Sequence, residues 1–301
     1  DLVFNRNNDQ LRISNTENIH YSTLEFSENI NITVALHHSH IGLKASLQRL
    51  ILFSTILLTI FLIFVGIISY LNISRFRGKN RAQRALISSL VELTDWRDPD
   101  TGIHLQRTSK YSQALSKQLK KDKIFRNKIN AEFIKNILDI APLHDIGKVG
   151  IKDAILLKAG KLDGEEYEEM KKHVLIGQKV IQDVIDKFKI SSPLILMARN
   201  ICGYHHEKYN GCGYPEGLKA SEIPLEARIF SLADVYDALR TKRPYKNEMT
   251  HSEVVAIIQS EKGKHFDPDV VEAFLRIQDT FAEINYRYST ELQEPSKYLD
   301  V

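Results

Sequence analysis

Three hydrophobic patterns succeed one another along this chain. Residues 31–36, Asn-Ile-Thr-Val-Ala-Leu, alternate at the period of a half-buried strand. Residues 50–72, LILFSTILLTIFLIFVGIISYLN, hold no charge and show no polar face, and a run of that length spans a hydrocarbon core as a helix. A buried core helix would keep some polar positions, and the run is too long and starts too far in for a signal peptide. Beyond residue 74 apolar positions recur at helical spacing almost throughout.

In residues 74–96 a basic stretch gives way to apolar positions Leu86, Leu90 and Leu93, spaced by four and three. This segment suits a dimer-forming signalling helix, and its second half suits the first core helix of the next domain. Helical patterns follow at 108–119, 132–143, 174–188, 192–205, 227–239 and 252–260, and at 268–276, started by Asp267 or Pro268. Pro142 has no backbone donor, so it predicts a kink or a fresh start just before His144. Asp163-Gly164-Glu165-Glu166 reads as a helix start with acids in its first turn.

The expected architecture is an all-α cytoplasmic bundle, preceded by one transmembrane helix and the end of an α/β or β-rich extracytoplasmic domain. The expected divisions are residues 1–46 (the end of a sensor domain), 47–73 (the span), 74–93 (a signalling helix), 94–285 (the catalytic bundle) and 286–301 (a tail).

Composition adds orientation. Arg75, Arg77, Lys79, Arg81 and Arg84 follow the apolar run, against Lys44 and Arg49 before it, which places the C-terminal side in the cytoplasm and the span in the inner (cytoplasmic) membrane. The net charge of +3 over 301 residues is too small to argue for a nucleic acid polymer as partner. Cys202 and Cys212 form no disulfide framework and suit a reducing compartment. The chain opens on Asp1 rather than Met and reads as a fragment or processed product. Residues 1–45, rich in Asn, Ser and Thr, resemble the tail of a Cache-type sensor. His37, His38 and His40 offer metal ligands there, although such a cluster is more often a solvated strand end.

Candidate chemistry lies in three blocks: His144-Asp145-Ile146-Gly147-Lys148, His205-His206, and Gly213-Tyr214-Pro215 followed by Asp234. A lone His in an apolar helix is usually a satisfied core residue, but adjacent His-Asp and His-His pairs are rarely spent on packing. Asp234 in an apolar helix is costly unless it is paired or bound to metal. Imidazole and carboxylate together suit first-row divalent ions, and more than four such ligands suit a cluster of them. Gly147 lets the backbone pass close to a ligand, and Lys148 supplies a cation for a bound phosphate. His173 is balanced between surface residue and ligand.

The region from about Ser88 to Phe274 resembles the HD-GYP family of metal-dependent phosphohydrolases. The matching stretches are residues 98–104, 142–151, 205–218, 223–229 and 234–239, with Arg243-Pro244-Tyr245-Lys246. The resemblance implies hydrolysis of cyclic di-GMP to pGpG, and onward to GMP, by a metal-activated hydroxide. It implies two or three divalent ions, iron or manganese. His144, Asp145, His173, His205, His206 and Asp234 would form the two-metal core with Asp145 bridging, and His104 with Asp100 would hold a third ion. Lys148 would contact the scissile phosphate and protonate the leaving oxygen, with Asp145 and Lys148 as the catalytic pair. Asp237, Arg243 and Lys246 would contact substrate, flanked by the Gly213-Tyr214-Pro215 loop. Lys208, Tyr209 and Asn210 stand where the family usually has Arg, Trp and Asp. Expected partners are a second copy of the chain, and a diguanylate cyclase or other signalling proteins. The competing readings are a non-catalytic receptor module and a hydrolase of another cyclic dinucleotide such as cyclic GMP-AMP.

Overall fold

A computed structural model of the chain describes residues 20–27, 30–36, 40–95, 102–158, 160–241 and 248–290. It divides into two compact units, residues 1–79 and 80–301.

In the first unit β1 (His20–Ser27) pairs antiparallel with β2 (Ile30–Leu36), with His20 opposite Leu36 and the register shifting between Glu25 and Ser27. The alternation at 31–36 is thus one arm of a hairpin. Helix α1 (His40–Asp95) follows, with no proline in its length. Its stretch Leu43–Arg75 is long and apolar enough to cross a membrane, and Leu50, Phe53, Leu57 and Phe61 there stand exposed. The hydroxyls of Ser54, Thr55 and Thr59 bond to carbonyls one turn back, so the apolar stretch carries them without unmet polar groups.

In the second unit the last turns of α1 give Val91 to the core and pack Ile87 against it, while Leu86 and Leu90 face outward. The core helix expected here is present, but it docks by the face one residue on from the leucine stripe. Then come α2 (Gly102–Leu119), α3 (Ala131–Ile140), α4 (Asp153–Leu156), α5 (Gly164–Phe188), α6 (Pro193–Tyr204), α7 (Leu225–Arg240), α8 (His251–Ser260), α9 (Pro268–Leu275) and α10 (Gln278–Thr290). Short 3-10 turns occupy Ala141–Leu143, Ile146–Gly150 and Ala220–Glu222.

Helix α2 is the centre, packed on α3, α7, α9 and α10, while α5 packs on α6 and on the turn Ile146–Gly150. Tyr111, Leu115 and Leu119, four apart on α2, are fully buried, as an amphipathic helix in a bundle requires. Tyr111 stacks on Phe281 of α10 at 4.5 Å, with Tyr236 of α7 edge-on to both.

Helix starts follow local chemistry. Asp163 and Glu166 form a capping box on α5, Ser192 caps α6 ahead of Pro193, and Asp267 caps α9 ahead of Pro268. Helix α5 runs unbroken from the start expected at Asp163 through the helix expected at 174–188. Pro142 ends α3 and sits at the start of a 3-10 turn, so His144 and Asp145 emerge between two tight turns rather than on a regular helix.

Candidate metal centre

The 3-10 turn after Pro142 directs the ring of His144 inward, where it is buried. Its Nδ1 lies 3.0 Å from the Ala141 carbonyl. Gly147 then lets the chain lie against α5. A Cβ at this position would fall 1.9 Å from the carbonyl oxygen of His173 and 2.5 Å from the amide nitrogen of Gly177. That close approach brings the Asp145 carboxylate beside the His173 ring.

The same rule orients three histidines. The Nδ1 atoms of His144, His173 and His205 lie 3.0, 2.7 and 2.9 Å from the carbonyls of Ala141, Met170 and Ile201. A carbonyl only accepts, so each Nδ1 carries the proton and each Nε2 presents a lone pair. All three Nε2 atoms converge on Asp145. His144 lies 3.0 Å from Oδ2, and His173 and His205 lie 3.2 and 3.7 Å from Oδ1.

Two ligand groups result. Asp145, His173, His205 and His206 bring donor atoms within 4.8 Å of one another, and so do His104, His144 and Asp234. Asp145 lies between them, one oxygen toward each. In the second group His104 Nε2 stands 3.5 Å from Asp234 Oδ1.

The residues fit divalent ions. The Nε2 atoms of His173 and His205 are buried without a hydrogen-bond partner, an arrangement that native interiors rarely leave unexplained. Burial, with His206 and His144 adding to it, pushes His205 well down, and burial brings His206 to about 3. Both rings are therefore neutral ligands at neutral pH. Burial opposes ionisation of Asp145, but the electrostatic influence of the adjoining His144 ring and of the Lys148 cation outweighs it and holds the carboxyl well below the usual carboxylate range. Neutral imidazoles around an ionised carboxylate form the donor set of a first-row divalent site.

Lys148 places Nζ 2.9 Å from Asp145 Oδ2. Tyr214 stacks on His206, with rings 4.8 Å apart and 27° between planes. Its loop is anchored by Glu207, whose buried carboxylate accepts from the amides of Glu216, Gly217 and Leu218 at 2.7, 3.0 and 3.1 Å. Gly213 is required here, since a Cβ would lie 2.3 Å from the Lys208 amide nitrogen. Pro215 follows Tyr214 in the same loop. Asn210, one of the departures from the family pattern, turns the loop by accepting from Cys212 at 3.0 Å.

Asp237, expected to contact substrate, is wholly buried. Arg107 holds it through two hydrogen bonds of 2.6 and 2.7 Å, and its Oδ2 lies 2.8 Å from His104 Nδ1. A carboxylate behind the far nitrogen of a ligand imidazole fixes ring and tautomer, which is the role the geometry gives Asp237. Asp100, Arg243, Lys246, His37 and His38 lie outside the described residues, as does the side chain of His40.

Arg107 was not singled out in the sequence; its signal is a cation one turn after His104 on a helix whose neighbouring positions are buried. Phe230 of α7 packs 4.7 Å from the His144 ring. Both cysteines are free, Cys202 buried and Cys212 exposed.

A family model described as HD domain matches residues 74–270. A probable cyclic di-GMP phosphodiesterase of Vibrio cholerae is 43% identical over 70% of this chain and 48% of its own length. A second Vibrio cholerae protein, a cyclic di-GMP phosphodiesterase, is 42% identical over 66% of this chain and 40% of its own length. A 3′3′-cGAMP-specific phosphodiesterase of the same organism is 35% identical over 76% of this chain and 41% of its own length. The chain thus spans about half or less of the curated relatives it matches. With that match laid over the assembled His-Asp and Gly-Tyr-Pro blocks, the chain belongs to the HD domain family, in its HD-GYP branch.

Proposed function

We propose that this chain is a membrane-anchored phosphodiesterase that hydrolyses cyclic di-GMP to pGpG, and onward to GMP. The observation that carries the reading is the Asp145 carboxylate, set between two imidazole groups with the buried Nε2 atoms of His173 and His205 aimed at it and otherwise unpartnered.

His144, Asp145, His173, His205, His206 and Asp234 would hold two ions, iron or manganese, and His104 with Asp100 a third. Such ions polarise a phosphoryl oxygen and lower the pKa of a water molecule. The protein's part is placement. The tautomers fixed by Ala141, Met170 and Ile201 keep every Nε2 pointed inward, and Asp237 does the same for His104. Lys148 Nζ, beside Asp145, offsets charge on the phosphoryl group and gives its proton to the departing 3′ oxygen as the P–O3′ bond breaks and water oxygen adds to phosphorus. Arg243 and Lys246 would contact the substrate and offset charge on its phosphoryl oxygens. The helix stretch Leu43–Arg75 supports an inner-membrane anchor with the bundle in the cytoplasm, working as a homodimer under an outer sensor and alongside a cyclase or other signalling proteins.

A second substrate, 3′3′-cGAMP, rests on the relative named for it. The test is anaerobic turnover by the chain loaded with Fe(II) or Mn(II), offering both dinucleotides, beside Asp145→Ala. Linear product from the parent alone supports the reading, and the ratio of kcat/KM values chooses the substrate. No product from a folded, metal-replete chain sinks it in favour of a receptor.

A further inference from the structure

We infer that Tyr167 and Lys171 of α5 form, with Tyr214, a platform for one purine of the dinucleotide, and that Tyr167 is its stacking surface. The inference rests on the phosphodiesterase reading above for the identity of the ligand, and on geometry for its place. Lys171 Nζ lies 5.3 Å from the centroid of the Tyr167 ring and 5.4 Å from that of Tyr214. Tyr214 in turn stacks on His206, a member of the ligand group. An unbroken row of rings and a cation therefore runs outward from the centre to Tyr167.

A single exposed aromatic on a surface means little. Tyr167 differs because it ends this row. It stands half exposed, at 50%. Lys171 is held in place beside it by Glu168 at 2.5 Å, with its own side chain 24% exposed. Tyr167 precedes His173 on the same helix by about 9 Å of rise, the reach of a nucleoside from its phosphate. An electron-rich ring backed by a cation binds a base through its face, with little regard to base identity. The platform therefore serves affinity, and choice between guanine and adenine falls to other groups.

The test uses the full, metal-loaded chain, with cyclic di-GMP for kinetics and its 2-aminopurine analogue as a fluorescent reporter of stacking. Tyr167→Ala is expected to raise KM on the order of tenfold with kcat within about twofold, and to abolish the quenching of 2-aminopurine on binding. Tyr167→Phe keeps the ring and is expected to restore both. Unchanged KM and quenching in Tyr167→Ala, or a fall in kcat alone, overturns the inference. Quenching needs no turnover. A chain that quenches through Tyr167 but never hydrolyses would leave the platform standing and sink the phosphodiesterase reading. A chain that binds neither ligand sinks both.

Discussion

Arg107 on α2 grips Asp237 on α7 with two parallel hydrogen bonds, Nε to Oδ1 at 2.6 Å and Nη2 to Oδ2 at 2.7 Å, in a setting from which water is nearly absent. Removing one partner would strand the other charge. Arg107→Ala should cost about 3–5 kcal/mol of stability, read by urea unfolding. It should also weaken metal retention at His104, since the carboxylate that orients that ring loses its own support. The check is metal content after dialysis. Full retention with a large stability loss would mean that Asp237 is structural only.

Gly147 tests the packing that sets Asp145 beside His173. A Cβ would meet the His173 carbonyl oxygen at 1.9 Å, and backbone cannot yield as a side-chain tip can. Gly147→Ala should cost about 3 kcal/mol or more and release metal, measured by thermal melts with and without Mn(II). An unshifted melting temperature would contradict the close approach.

Glu207 tests the loop. Its carboxylate accepts from three amides. Glu207→Ala leaves those donors unpaired and should cost about 2–3 kcal/mol. Because the loop holds Tyr214 against His206, KM should rise as well. Glu207→Gln, which keeps an acceptor oxygen, should fall between the two. Equal behaviour of the Gln and Ala variants would show that the hydrogen bonds do not matter.

His265 gives a pH signature away from the metal centre. Its ring stacks on Phe266 at 4.4 Å, and burial, with the charge of Lys208, brings its pKa to about 4. An unfolded histidine titrates near about 6.5, so between these values the unfolded chain binds a proton that the folded chain refuses. The contribution is whole above about 6.5 and is lost as pH falls toward about 4, on the order of 2–3 kcal/mol. His265→Gln should flatten that part of the stability curve, as denaturant titrations at about pH 7.5 and about pH 5 would show.

Much of this was legible because it is local. Asp163, Ser192 and Asp267 announce helix starts through their own side chains, and the His-Asp and His-His pairs advertise ligands wherever the chain takes them. Pairing across the fold left no such trace. Arg107 and Asp237 stand 130 residues apart, and no periodicity in either helix links them, so Asp237 looked available for substrate. The inward face of α1 left no trace for a related reason. Leu86/Leu90 and Ile87/Val91 are both apolar pairs at helical spacing, and only the neighbouring helices decide between them. Helix α10 escaped notice because a largely polar segment hangs on a few anchors, chiefly the fully buried Phe281.

The proton on each Nδ1 has a consequence for how the centre fills. Turning the ring of His144, His173 or His205 over would break its bond to the carbonyl one turn back and aim an N–H into a space shared with other rings. The carbonyls therefore set the three rings with their lone pairs inward, and less of the energy of binding an ion would go into orienting its ligands.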